Sequence, residues 1–274
     1  MRGRRKKQLL REQPWLRHQT LVVEDLRGGR FEPEPEKSGI CFDGVVVDTV
    51  DFSGMELQAF SATGCEFRSC DFRGAQLKEN VTMSYSPQSV YRDCCFDTAD
   101  MVGPRVGMFS LGVARFEHCS FRRTRISSWF SFSAEFVGCV FEGTLKSCTF
   151  HGRTPAGIGG GHLTPRSDRN EFRDNDFTTT DLVGCAFAGG IDMRAQRWPQ
   201  DDDYVWIDDV PAAVERADAA IASWSLEPEQ ERAARATVSV LDLDQPQTFV
   251  RRSELSRHLE SPTADRLLAA LSER

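Results

Sequence analysis

The sequence predicts an all-β solenoid of very short repeats, followed by a small, mostly α-helical C-terminal region. Three observations point to it. Apolar residues recur at every fifth position over long runs, small or thiol-bearing residues sit two positions ahead of them, and the positions between collect Asp, Glu, Arg, Ser and Gly. That spacing fits neither the ~3.6 residues of a helix turn nor the strict alternation of a long strand. It fits a short extended piece with two inward side chains, then a turn. Units this short cannot bury a face alone, so they must stack coil upon coil.

The first run of centres is Phe42, Val47, Phe52, Leu57, Ala62, Phe67, Phe72 and Leu77. A second, in a new phase, is Phe96, Met101, Val106, Leu111, Phe116, Phe121, Ile126, Ser131, Phe136 and Phe141. A third is Phe172, Phe177, Leu182 and Phe187, and among all these centres only Ser131 is polar. The expected core is therefore Phe52, Leu57, Phe67, Phe72, Leu77, Phe116, Phe121, Phe136, Phe141, Phe172, Phe177, Leu182 and Phe187. Phe suits such an axis better than Tyr, whose buried hydroxyl would need a partner. The chain accordingly has nineteen Phe and three Tyr. Cys65, Cys70, Cys94, Cys119, Cys139, Cys148 and Cys185 lie two residues before an apolar position and read as small buried hydrophobes. No CxxC occurs and the five His make no ligand spacing with the cysteines, so neither metal nor cofactor is expected. Free buried thiols fit a reducing compartment, which makes a cytoplasmic location the expectation.

The runs CEFRSCDFRGAQL (65–77) and NDFTTTDLVGCAF (175–187) resemble the pentapeptide-repeat family, whose pattern is A-(D/N)-(L/F)-x-x. The resemblance covers about 41–81, 94–150 and 170–190. It implies a right-handed quadrilateral β-helix with four repeats per coil, one on each face. The repeats would then make a rod roughly 26 Å long at ~4.8 Å per coil. The resemblance extends to the quinolone-resistance and antibiotic self-immunity groups of that family, which bind type II topoisomerases and protect them from poisons. It implies a non-enzymatic protein whose partner is DNA gyrase or topoisomerase IV, engaged by partial DNA mimicry.

Along the chain, residues 1–14 are expected to be a basic, disordered N-terminus. The head Met1–Lys7 has no apolar stretch behind it and is not a secretory signal. The solenoid is expected over 15–193, with loops over 78–93 and 151–169 where Pro, Gly and Tyr85 interrupt the phase. Leu16, Leu21, Leu26 and Phe31 are also five apart, which reads as an N-terminal cap, an extra coil or an amphipathic helix. The Gly157–Gly161 cluster lacks the GK(S/T) ending of a phosphate loop and reads as a plain loop. Residues 194–274 change to an Ala-rich, helical composition. Pro211 after Asp208 and Asp209 starts a helix with the stripe Val214, Ala217, Ile221 and Trp224. Glu229–Ala236 continues as helix, Thr237–Leu243 reads as strand, and Ser253–Leu259 and Ser261–Glu273 read as short helices with Ser N-caps. This region is either a helical cap on the open edge of the last coil or a small partner-binding domain.

Net charge is −7, distributed as +6 over 1–30, −7 over 31–193 and −6 over 194–274. An acidic chain is not expected to bind nucleic acid directly, and no stretch is apolar enough to span a membrane. No G-x-S-x-G, H-E-x-x-H or Cys/His pairing points to catalysis. On a rod, function falls to columns of outward side chains. The spacing predicts Asp51 beside Asp71, Glu56 beside Gln76, Val46 beside Glu66, and Arg105 on the same face as Arg125. Candidate partner contacts are Asp51, Glu56, Glu66, Asp71, Asp176 and Asp181, with the loop at 153–169 positioning the target. The charge is −4 over 41–81, +1 over 96–150 and −4 over 170–193, so any mimicry is partial. The alternative is a structural adaptor that uses the rod as spacer and 194–274 for protein binding. A homodimer is left open.

Overall fold

A computed structural model describes residues 20–23, 25–32, 39–102, 108–157, 163–241 and 244–272. The rod is a β-solenoid whose four walls are built from parallel neighbours. One wall is a seven-stranded sheet running Leu26–Arg27, Val46–Asp48, Glu66–Arg68, Val90–Arg92, Arg115–Glu117, Glu135–Val137 and Phe172–Arg173. A ten-stranded sheet wraps two corners, because Glu56–Thr63 and Gln76–Tyr85 run on through one bend and Val140–Lys146 through the other. A three-stranded sheet joins Phe130–Ser131, Thr149–His151 and Ala186–Ala188. Register follows the expected pairs: Asp51 with Asp71, Glu56 with Gln76, and Val46 with Glu66.

The five-residue unit has a backbone reason. Two residues after a centre the chain turns a corner with positive φ, as at Thr49, Ser69, Asp93, His118 and Gly138. Small or polar residues tolerate that region best. At Gly138 the requirement is steric as well, since a Cβ there would stand 2.5 Å from the His118 ring. Two residues before a centre, the inward side chain donates to the carbonyl of a centre in the coil beneath. Cys70 reaches Val47 O, Cys119 reaches Tyr91 O, Thr124 reaches Phe96 O, Trp129 reaches Met101 O, and Asn175 reaches Phe136 O. The thiols are therefore weak donors to buried carbonyls as well as fillers of space.

The centres stack into ring ladders. Phe31, Phe52, Phe72, Phe96, Phe121, Phe141, Phe177 and Trp198 succeed one another at 4.6–5.3 Å between centroids. From Phe52 to Trp198 the rings lie within 8° of parallel. At ~4.8 Å per coil the ladder is roughly 34 Å long, beyond the expected 26 Å because it continues past both ends of the repeat runs. Every expected core residue is buried except Leu57, whose side chain lies outside the described residues; its backbone registers with Leu77.

One of the two interruptions behaves differently from its reading. Residues 78–93 do not form a loop that leaves the rod: Gln76–Tyr85 and Val90–Arg92 are wall strands. Val81, Met83 and Tyr91 fill the interior there. Tyr91 stacks on Phe67 at 4.5 Å and on Phe116 at 5.1 Å, and its hydroxyl donates to Met83 O at 2.7 Å. The five-residue phase is broken, but burial is not. The next coil also departs from four repeats, since Cys95 registers with Ser120 and Arg125 with Asp100. Arg105, expected on the face of Arg125, lies outside the described residues together with Val106.

Of the second interruption, the described residues 153–157 and 163–169 do leave the wall. Arg153 bridges Arg169 at its base, and Leu163 packs back on Cys41, Ala59 and Tyr85. Toward the N-terminus, Thr20–Val23 pairs with Gly39–Phe42 and Phe31 sits on Phe52, so an extra coil precedes the first run. Residues 1–19, Leu16 among them, lie outside the described residues.

Beyond Trp198 come α1 (Val210–Ser223), α2 (Pro228–Ser239), α3 (Arg252–His258) and α4 (Ser261–Ser272). Asp209 caps α1 by accepting from Ala212 N–H at 3.1 Å. The expected strand at 237–243 is corrected: α2 runs to Ser239, and the strand is Thr248–Arg251, antiparallel to Tyr204–Ile207. Ser253 is not a cap either; it lies inside α3 and its hydroxyl donates to Asp203 at 2.8 Å. Much of this region is spent on the open edge of the last coil. Leu182 N–H donates to the Tyr204 hydroxyl, Gly184 N–H to Glu254, and Ile191 N–H to Gln245, while Phe249 and Trp198 close the core. No described helix is long and apolar enough to cross a membrane.

Candidate protein-binding faces of the rod

The aspartate before a buried Phe is held by its own turn. Asp51 Oδ1 accepts from Ser53 N–H at 2.7 Å, Asp71 from Arg73 N–H at 2.9 Å and Asp176 from Thr178 N–H at 3.0 Å. The ring goes inward, the carboxylate points out, and the next backbone N–H fixes it. Because Phe52, Phe72 and Phe177 share one ladder, these three carboxylates share one wall. Glu66 lies on the adjoining wall, and Glu56 and Asp181 on the opposite adjoining wall.

Arginines answer five of these six acids. Arg30 pairs with Asp51 at 3.0 Å, and Arg73 pairs with Asp71. Arg68 and Arg92 pair with Glu66 at 2.6 and 3.3 Å, Arg197 with Asp176 at 3.0 Å, and Arg251 with Asp181 at 2.8 Å. On the Glu66 wall the pairing continues as a ladder through Arg92, Glu117, Arg115, Glu135, Glu171 and Arg173. Glu56 is exposed and has no ion-pair partner among the described residues. A uniform acidic stripe is therefore absent. B-DNA of the rod's ~34 Å length carries about twenty charges, one per ~1.7 Å, far more than this surface presents. The pairing had a legible signal, opposite charges two apart astride a buried centre, as in Glu66-Phe67-Arg68 and Arg115-Phe116-Glu117.

The partners hold the carboxyls in their charged form. Ser53 hydrogen bonds lower Asp51, Arg68 lowers Glu66, and Arg73 lowers Asp71. Burial alone would raise Asp176, but its bonds from Thr178 and the charge of Arg197 outweigh that. These groups contribute stability above their ordinary values of 3.8 for Asp and 4.5 for Glu, and lose it as pH falls through the lowered ones. His151, which burial holds below its ordinary 6.5, costs stability as pH falls through that range. In a His151→Gln variant, thermal melts should thus be flat from about pH 7 to about pH 5 and decline only below about pH 4. A midpoint of that variant already falling between the first two would contradict this assignment.

Among the described residues no group of three or more His, Cys, Asp or Glu is placed to hold a metal ion. Coil register, ring ladders and four-walled section define a pentapeptide-repeat type of β-solenoid. Among solved structures, the chain is similar to full-length QnrB1, described as a plasmid-mediated fluoroquinolone resistance protein. Identity is 18%, covering 65% of this chain and 81% of that one, with a TM-score of 0.31. Two trypsin-treated variants of QnrB1 match at 16% and 18% identity, covering 65% and 66% of this chain and 79% of theirs, with TM-scores of 0.24 and 0.26. No protein-family model and no curated protein matches the sequence.

Proposed function

We propose that the chain is a non-enzymatic interaction protein that binds a type II DNA topoisomerase, DNA gyrase or topoisomerase IV, and protects it from an inhibitor. The observation that carries the reading is the fixed column of Asp51, Asp71 and Asp176. Their carboxylates are held by backbone, while the arginines facing them lie largely in solvent: Arg30, Arg73 and Arg197 are 54%, 64% and 71% exposed. A partner surface lined with Lys and Arg for phosphate can take over the carboxylates as the rod's own arginines turn to solvent. The mimicry is partial, with Glu56, Glu66 and Asp181 as flanking contacts and the 153–169 excursion positioning the target. The adaptor alternative asks residues 194–274 to bind alone, yet Tyr204, Gln245, Arg251 and Glu254 are engaged with the last coil.

The test is gyrase supercoiling titrated with a quinolone at micromolar protein. Protection should move the inhibition curve to higher drug, and a D51N/D71N/D176N variant with unchanged circular dichroism should lose most of that shift. An unmoved curve with the natural chain overturns the proposal.

A further inference from the structure

Cys148 and Cys185 occupy the same place in successive coils of one wall. Thr149 registers with Ala186, and the Ala186 N–H donates to the Cys148 carbonyl at 2.8 Å. Cys148 Sγ reaches Lys146 O and Cys185 Sγ reaches Leu145 O, both at 3.4 Å. That placement couples the two thiols, lowering Cys148 while raising Cys185. Neighbouring Cα atoms in a parallel ladder stand about 4.8 Å apart, inside the ~4.4–6.8 Å that a disulfide spans.

The column Cys70, Cys94, Cys119 and Cys139 shares this spacing but is buried between coils. Cys185 is different. It is half-buried and lines a groove of about 820 Å³ between the last coil and the helices, walled by Ala233, Ala236, Val240 and Leu255. A small reagent entering the groove meets one thiol with a second directly behind it.

We propose that Cys148 and Cys185 form a dithiol modification site, converted to an inter-coil disulfide by a small organic disulfide entering this groove. With Cys148 as the thiolate of the pair, Cys185 passes its proton to the Cys148 sulfur and attacks one sulfur of the reagent, whose S–S bond breaks and releases a thiolate. That thiolate takes the proton from Cys148. The Cys148 thiolate then attacks Cys185 Sγ and expels the second half of the reagent, which picks up a proton from water. Two protein thiols are oxidised and one reagent disulfide is reduced to two thiols. The new bond closes the 151–169 excursion into a covalent loop and restricts the unfolded chain.

The test incubates the reduced, full-length folded protein with oxidised glutathione and maps its thiols by non-reducing digestion and mass spectrometry. The expected product links Cys148 to Cys185, forms at least about tenfold faster than any modification of the wholly buried thiols, and raises the melting temperature. Half-buried Cys95 faces the Ser120 hydroxyl rather than a thiol, so it should stop at a glutathione adduct. Cys148→Ser should leave the same adduct on Cys185. If that variant does not fold, the map of the natural chain decides alone. A persistent glutathione adduct on its Cys185, a link between other cysteines, or both thiols left free overturns the proposal.

Discussion

Replacing Phe121 with alanine is expected to destabilise the protein by about 3–5 kcal/mol, the largest effect of any single truncation in the rod. The ring is fully buried between Phe96 and Phe141, each 5.0 Å away and within 7° of parallel. Phe116 and Trp129 meet it edge-on at 5.6 and 6.0 Å. In many cores part of such a cavity closes as neighbours move in. Here the coil spacing is set by main-chain bonds such as Phe96 N to Ser120 O at 2.8 Å and Val140 N to Cys119 O at 3.0 Å, so the rings above and below are held apart. A solenoid is coupled only through nearest neighbours, so a void at mid-ladder should also weaken communication between its halves. Urea unfolding should show the loss together with a broadened or two-step transition. Phe31→Ala, at the ladder's end with a single ring 5.3 Å away on this column, should cost clearly less. A loss below about 1.5 kcal/mol at Phe121, the range of well-tolerated core swaps, would mean that the walls can close after all.

The same physics decides how much of the fold was legible. A five-residue period is visible wherever each coil corner uses the same number of residues, so Phe52, Phe72, Phe121 and Phe177 announce the ladder. The period vanishes where a coil takes extra residues, although the burial continues. Tyr91 is the clearest case: it looked like part of a loop because the count had slipped and its hydroxyl seemed unwelcome inside. Met83 O supplies the partner that the hydroxyl needs. Leu145 and Phe150 were missed as centres for the converse reason, since Phe141 to Leu145 is four residues rather than five. The acidic candidates were located by spacing, and partners two residues away, Arg68 and Arg73, were legible with them, but pairs across coils such as Arg30–Asp51 and Arg197–Asp176 are visible only once the coils are in register. The strand Thr248–Arg251 was hidden for a different reason. Its partner, Tyr204–Ile207, lies some forty residues back, beyond α1 and α2, and no local pattern reports such a pairing.

Arg251→Ala is expected to release the C-terminal region from the rod at a cost of about 2–3 kcal/mol, below the 3–5 kcal/mol of a fully buried broken pair. The Arg251 side chain is 11% exposed and binds Asp203 and Asp181, each at 2.8 Å, and Glu254 at 3.6 Å. It also donates to Leu182 O at 3.1 Å and lies over the Tyr204 ring at 5.1 Å. One guanidinium thus ties the last wall strand to the Tyr204–Ile207 and Thr248–Arg251 pair. Without it, three carboxylates converge with no cation between them. The cost is discounted because Asp181 is half exposed and can turn to water. Arg251→Lys should recover only a fraction, since a single ammonium cannot span three acids and a carbonyl at once. Hydrogen exchange gives the direct readout. The amides of Leu182, Gly184 and Ile191, which donate to Tyr204, Glu254 and Gln245, should exchange faster in the alanine variant, while Phe96 and Phe121 amides deep in the rod keep their protection. An exposed last coil is an open strand edge, so the variant should also self-associate at concentrations where the natural chain does not. Unchanged protection at those three amides would mean that apolar contact through Phe249 and Trp198 holds the region in place without Arg251.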